Sequence, residues 1–188
     1  MITVRFCTLL SMTLAAGLVR LLPHWPNFTP IGAMALFGGA YFLRRRAAFA
    51  VPLSAMLVSD AILGATRYGW AVLRFMPIVY GCFAATVVLG MLLRKRRTAL
   101  SVVAAALSSS VLFFIVTNFA VWFRGTLYPH TAAGLAECYI AAIPFFQNTV
   151  AGDVFFSAVL FGGFELAQRR WPALRAIPTW TPRGGAAT

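Results

Sequence analysis

The sequence predicts an all-α integral membrane protein with six transmembrane helices, and three observations favour this fold class. Of the 188 residues, 61% are hydrophobic and only 11% are charged. A soluble domain usually has about 25% charged residues, and one with this composition would expose large apolar patches. The apolar residues form long runs, and clusters of Arg and Lys separate several of them. These features exclude a soluble enzyme, a disordered chain and a secreted disulfide scaffold.

The apolar runs define the predicted helices in order. A helix needs about 20 apolar residues to cross a bilayer. The six runs are residues 4–22, 31–43, 47–63, 71–93, 99–123 and 145–167. The second run is short, so we expect neighbouring helices to shield it and the loop before it to dip into the protein. The six runs together predict one transmembrane domain, residues 1–170, and the prolines and glycines that follow predict an irregular cytoplasmic tail, residues 171–188.

The connections between the runs follow from composition. The first connection, residues 23–30, contains three prolines. Basic clusters at 44–46 and 94–97 end the second and fourth apolar runs. Residues 64–70 form a polar and aromatic connection. The longest connection, residues 124–144, contains Tyr128, Pro129, His130, Glu137, Cys138 and Tyr139 and is predicted as a loop.

The distribution of basic residues predicts the orientation in the membrane. With six spans both termini share a side, and that side holds twelve of the sixteen basic residues. By the positive-inside rule, both termini and the clusters at 44–46 and 94–97 face the cytoplasm. A net charge of +12 would suggest nucleic acid as partner of a soluble protein. Here the charges flank apolar runs, so we expect a lipid bilayer and no nucleic acid.

The predicted outward side concentrates aromatic and polar residues. They are His24, Trp25, Asn27, Thr29, Arg67, Tyr68, Trp70, Arg74, Tyr128, His130, Glu137 and Tyr139. This mixture suits a pocket for a large, partly polar ligand. The alternative is an interfacial belt of Trp and Tyr with snorkelling Arg.

Three carboxylates lie within predicted spans. Asp60 is either a ligand contact or part of a charge-balancing pair, with Arg67 and Arg74 following in the sequence. For Asp153 we expect a partner, either Asn118 on the fifth run or an arginine of the outward side, because ionisable groups at depth face an interior or a cavity. Glu165 precedes Arg169 by four residues, which predicts an ordinary pair along one helix.

Cys82 is the candidate metal ligand and reactive residue. It lies in the middle of the fourth run, after Tyr80 and Gly81, where small residues permit close approach. A buried cysteine is ordinarily a small hydrophobic residue, but a thiolate is also a soft ligand for a transition metal. Cys7 and Cys138 lack a comparable setting. The sequence contains neither a GxxxxGK[ST] phosphate loop nor an HExxH motif.

These features together resemble the substrate-binding S-components of energy-coupling-factor (ECF) vitamin transporters. Residues 26–33 (PNFTPIGA), 57–60 (LVSD), 80–82 (YGC) and 148–153 (NTVAGD) are similar to segments of the BtuM-type cobalamin transporters. Those proteins are solitary S-component relatives of Gram-negative bacteria. The resemblance covers nearly the whole chain.

The resemblance implies a six-helix S-component fold in the bacterial inner membrane, with cobalamin (vitamin B12) as bound substrate. It also implies a cysteine on the fourth helix that ligates cobalt, and Cys82 is the position that matches. Such a ligand would promote decyanation of cyanocobalamin as a side reaction of binding. The other expected contacts are Asn27, Phe28, Thr29, Asp60, Arg67, Tyr68, Tyr80, Asn148 and Asp153. The partner is either an ECF ATPase module or none.

Three other functions remain open at this point. One is an S-component for a different vitamin or a nucleobase-like ligand, in which Cys82 only packs. The second is a membrane enzyme that uses Asp60 or Asp153 as acid and base on a lipid-linked substrate. The third is a purely structural membrane subunit, which would bind no ligand.

Overall fold

The computed structural model describes residues 3–69 and 75–175, and within these ranges all regular secondary structure is helical. The helices are α1 (Val4–Val19), α2 (Ile31–Tyr41), α3 (Arg45–Leu63), α4 (Met76–Leu92), α5 (Ala99–Arg124), α6 (Ala132–Ser157) and α7 (Gly163–Arg170). π-Helical turns at Gly64–Tyr68 and Ala158–Gly162 extend α3 and join α6 to α7. A 3-10 turn at Pro172–Leu174 follows α7.

Three helical segments are long and apolar enough to cross a membrane. They are Arg45–Arg67, Ala99–Arg124 and Ala132–Arg170, with 23, 26 and 39 residues. Three shorter apolar helices, Val4–Val19, Ile31–Tyr41 and Met76–Leu92, pack among them. The described chain is therefore an all-helical bundle compatible with a membrane protein.

The sixth helix begins earlier than the sequence predicts. The interpretation of residues 124–144 as a loop is wrong for its second half, because α6 starts at Ala132 and runs through Pro144. Thr131 caps the helix by accepting a hydrogen bond from the backbone N–H of Gly134. Proline inside the helix removes a single backbone donor, and packing against α5 maintains the remaining turns. Cys138 consequently lies on a helix and is buried.

Helix α2 forms the centre of the bundle. All of its residues are buried, as expected for a short helix that neighbouring helices shield. Its backbone touches that of α4, because a Cβ atom on Gly39 would overlap the carbonyl oxygen of Val87 and one on Gly90 would overlap that of Leu36. Glycines at such crossings allow two backbones to approach closely. This contact fixes α2 against α4.

Arginines close the carboxyl end of α2. Arg94 donates to the carbonyl oxygens of Gly39 (2.8 Å) and Phe42 (2.7 Å), and Arg97 donates to that of Ala40 (3.1 Å). The last carbonyls of a helix have no partner within the helix, so these guanidinium groups supply it. The basic residues predicted only as topology signals therefore also hold the fold together.

The two ends of the chain meet beside this basic cluster. Arg5 on α1 donates to the side chain of Gln168 on α7 and to the carbonyl oxygen of Leu174. Its guanidinium group also lies 5.9 Å from the centre of the Tyr41 ring, and that of Arg97 lies 4.8 Å from the same ring. We call this region the basic end of the bundle. It comprises the start of α1, the end of α2, the turn with Arg94 and Arg97, and the segment after α7.

Candidate ligand cavity

The segment before α2 is held against α6. The Asn148 side chain donates to the carbonyl oxygen of Pro26 at 3.0 Å. The Phe28 ring packs on Phe155 and Phe156, with centroid distances of 5.9 and 5.5 Å. A Cβ on Gly152 would come within 3.0 Å of the Thr29 nitrogen, so this glycine allows the close approach. Within this segment Pro30 is buried and Phe28 and Thr29 are partly buried, whereas Pro26 and Asn27 are exposed, so only its second half enters the protein.

A cavity of about 290 Å³ lies beneath this segment, between α3, α4, α5 and α6. Most of its wall is apolar, and a few polar side chains converge on it. The residues around it are Arg20, Asn27, Thr29, Ile31, Met56, Asp60, Phe75, Met76, Val79, Phe83, Ser109, Phe113, Thr149 and Asp153. An apolar wall with a few placed polar groups is typical of small-molecule sites.

Asp153 is the more deeply buried of the two carboxylates on the cavity. It is 4% exposed, and Ser110 of α5 donates to one carboxylate oxygen at 2.7 Å. The carboxylate lies against the first turn of α2, where a Cβ on Gly32 would overlap it. The positive end of a helix dipole favours an anion at such a position. The partner is on the fifth helix, as expected, but it is Ser110 rather than Asn118, whose side chain bonds the carbonyl of Phe114.

Asp60 forms the second polar group of the cavity. It pairs with Arg20, which follows α1. Arg20 also donates to the Ser59 hydroxyl at 2.8 Å, and Tyr80 of α4 donates to the second Asp60 oxygen at 2.8 Å. The charge-balancing interpretation therefore finds a partner, although it is neither of the arginines that follow Asp60 in the sequence. The network connects α1, α3 and α4 at the edge of the cavity.

Replacing Arg20 with Met is expected to lower the free energy of unfolding by about 1–3 kcal/mol. The change leaves Asp60 largely buried with one hydrogen-bond donor, and an uncompensated carboxylate is costly to bury. The comparison is made by denaturant unfolding in detergent. Arg67→Met is the matched control, since Arg67 is exposed. Adding Asp60→Leu to Arg20→Met should recover most of the loss, whereas equal midpoints for Arg20→Met and Arg67→Met would contradict the assignment.

The structure places only some of the other predicted contacts on the cavity. Asn27 and Thr29 lie on the cavity, and Asn27 has a positive φ of 64°, a conformation that Asn tolerates better than most residues. Phe28, Asn148 and Tyr80 position the groups around it. Arg67 is exposed and is not among the described lining residues. The side chain of Tyr68 lies outside the described part of the structure, as do Trp70 and Arg74.

Cys82 is buried beside the cavity. It is 4% exposed, and the next residue, Phe83, lies on the cavity wall. Thr86, one turn further along α4, shares a 2.8 Å hydrogen bond with Ser109 of α5. Because residues four apart lie on one face of a helix, Cys82 is on the α5-facing side of α4. Its side chain is not part of the described cavity lining.

Several cavity residues were not anticipated from the sequence. From the sequence, Arg20 is simply one of the four basic residues on the predicted outward side. Ser109 and the apolar wall residues Met56 and Phe113 give no signal of their own. Small hydroxyl residues bond their own helix backbone as readily as a partner, so their sequence position does not reveal a cavity. The Glu165–Arg169 pair is confirmed at 3.5 Å, between two exposed side chains at the basic end.

The fold defines a helical bundle compatible with a membrane protein, with a small, partly polar cavity between its helices. No curated protein and no solved structure matches the chain. Residues 1–174 match the model of the DUF6580 family, a family of unknown function. The chain therefore belongs to the DUF6580 family.

Proposed function

We propose that the protein binds cobalamin and carries it across the bacterial inner membrane, as a six-helix bundle of the S-component kind. The observation that carries the proposal is the cavity under residues 26–30, where an apolar wall meets Asn27, Thr29 and Asp153. The corrin ring has an apolar face and a rim of amides. The apolar wall would pack on the face, and the polar side chains would bond the amides. The sequence resemblance supplies the choice of cobalamin among ligands with this chemistry.

The size of the cavity adds a requirement to the proposal. A volume of about 290 Å³ lies at the lower limit for drug-sized ligands, and a corrinoid is larger. Binding therefore needs the cavity to widen. In the proposal it widens by movement of residues 26–30, which are joined to α6, among the described residues, by a single side-chain hydrogen bond, that of Asn148. The ion pair of Arg20 and Asp60 remains as the fixed edge.

Cys82 supplies the cobalt ligand in this proposal. Widening beside Val79 and Phe83 exposes the adjoining thiol to the corrin face. The thiol loses its proton, and the thiolate donates an electron pair to cobalt in one axial position, from which the earlier ligand leaves with its own electron pair. The bond from cobalt to cyanide in the other axial position weakens. Cyanide leaves with its bonding electron pair and takes up the proton from the thiol as hydrogen cyanide, so cobalt keeps its oxidation state.

The same proposal places both termini in the cytoplasm and all six apolar helices in the membrane. The basic end of the bundle supports this orientation, because Arg5, Arg94 and Arg97 lie together there and basic residues are enriched on the cytoplasmic side of membrane proteins. A single cysteine at position 96, in a chain without its native cysteines, should resist an impermeant reagent in intact cells. Labelling of that cysteine would show that this loop faces the periplasm and that the proposed orientation is wrong.

The binding proposal is tested with protein purified from cells fed cobalamin. The parent should carry a corrinoid absorbance spectrum and restore cobalamin-dependent growth to a bacterium without its own inner-membrane importer. Val79→Trp fills the cavity wall and should reduce bound cobalamin more than about tenfold, because the added ring occupies the space that the ligand needs. Val88→Trp on the same helix is the control, since Val88 is 47% exposed. A colourless parent that leaves growth at the empty-vector level would refute the assignment.

A further inference from the structure

A second cavity, separate from the first, lies at the basic end of the bundle. It has a volume of about 320 Å³ and lies between the start of α1 and the turn from α2 to α3. The residues around it are Thr3, Arg5, Phe6, Leu9, Tyr41, Phe42, Leu43, Arg44 and Ala47. These described residues include two arginines and no acidic side chain. The cavity is therefore basic at one side and apolar at the other.

Arg5 has unused hydrogen-bonding capacity in this cavity. The residue is 8% exposed, and its Nη1 atom donates to Gln168 and to Leu174. Its Nε atom is also buried, but it has no partner among the described residues. A buried guanidinium donor without an acceptor is costly, and an anion is the acceptor that a guanidinium group prefers. Arg44, at the start of α3, adds a second, exposed guanidinium group.

The apolar side of the cavity continues onto the outer surface of the bundle. Phe6 and Phe42 pack edge to face at 5.5 Å, with Leu9 and Ala47 also on the wall. Beside the arginines, Val4 and Leu43 are 65% and 67% exposed. Large apolar residues so exposed, directly next to the charged groups, are the pattern of a surface that faces lipid at the level of the headgroups.

We propose that this cavity binds an anionic phospholipid, with the headgroup phosphate between Arg5 and Arg44 and an acyl chain along Phe6, Leu9 and Ala47. A free phosphate would use only the basic side. The continuous apolar wall next to the arginines favours the lipid, because it matches the chain that follows the phosphate. Basic pockets between transmembrane helices are known to hold anionic headgroups in this way. The site is independent of the cobalamin proposal, since none of its residues lies on the first cavity.

The test measures retention of defined lipids by the delipidated full-length protein in detergent, using native mass spectrometry. The parent should retain phosphatidylglycerol in preference to phosphatidylethanolamine. Arg44→Glu should weaken phosphatidylglycerol binding at least about fivefold, the factor expected from loss of one basic contact. Arg46→Glu is the matched control: it makes the same charge change at an exposed position of the same turn, outside the cavity lining, and should change binding less than about twofold.

Two further comparisons make the site specific. Ala47→Phe fills the apolar side and should also weaken phosphatidylglycerol binding, although it leaves both arginines in place. Equal losses in Arg44→Glu and Arg46→Glu would show a diffuse charge effect and overturn the site. If inorganic phosphate at millimolar concentration displaces phosphatidylglycerol from the parent, the cavity holds a free phosphate and the lipid assignment is wrong.

Discussion

Replacing Gly39 with alanine is expected to prevent stable folding, at a cost of more than about 3 kcal/mol. A Cβ at this position would overlap the carbonyl oxygen of Val87 and approach the backbone of Gly90. Backbone atoms cannot rotate away as a flexible side chain can, so α2 and α4 must separate. Because α2 is buried along its whole length, that separation disturbs every helix packed around it.

The chain offers a matched control for this change. Gly81 lies on the same helix as Gly90, but a Cβ there meets nothing within 4 Å. Gly81→Ala should therefore be neutral or stabilising by up to about 1 kcal/mol, since alanine favours the helix. Gly90→Ala should behave like Gly39→Ala, because its Cβ would overlap the carbonyl oxygen of Leu36. The measurements are the yield of monodisperse protein in detergent and its thermal midpoint. Similar midpoints for Gly39→Ala and Gly81→Ala would contradict the close contact of α2 and α4.

Replacing Cys82 with serine is expected to slow the release of cyanide from bound cyanocobalamin by more than about tenfold. Serine nearly preserves the volume, but its hydroxyl is a hard and poorly ionised donor, in contrast to the soft thiolate. The cavity and the fold should survive, because Cys82 makes no side-chain hydrogen bond among the described residues. The visible spectrum of the bound corrinoid and the rate of cyanide release are the two readouts.

The other two cysteines provide controls at different depths. Cys138 is also buried, on α6, and donates weakly to the carbonyl oxygen of Asn118 at 3.5 Å, while Cys7 is exposed on α1. Serine at either position should leave the spectrum and the release rate unchanged. If Cys82→Ser retains the parental spectrum and rate, the cysteine only packs between α4 and α5. That result would refute cobalt ligation by Cys82 but not cobalamin binding, which the Val79→Trp experiment tests separately.

The sequence alone determined the all-helical class of the fold and most helix positions. Long apolar runs are local features, and the cost of burying unpaired backbone groups leaves such runs little choice but helices. The short second helix followed from its thirteen-residue run, and the pair of Glu165 and Arg169 followed from helical spacing. The start of α6 did not follow from the sequence, because polar residues between 124 and 144 interrupt the apolar run. In the structure α6 nevertheless begins at Ala132, packs against α5 and continues through Pro144.

The tertiary structure alone decided which polar groups meet. Asp60 pairs with Arg20 and not with an arginine that follows it, and Asp153 meets Ser110 rather than Asn118. It also revealed that Arg94 and Arg97 close the end of α2, beyond their effect on orientation. In each case the partners lie in different segments, far apart in the chain. Helix crossing and rotation set those distances, and a pattern along a single helix contains no information about either.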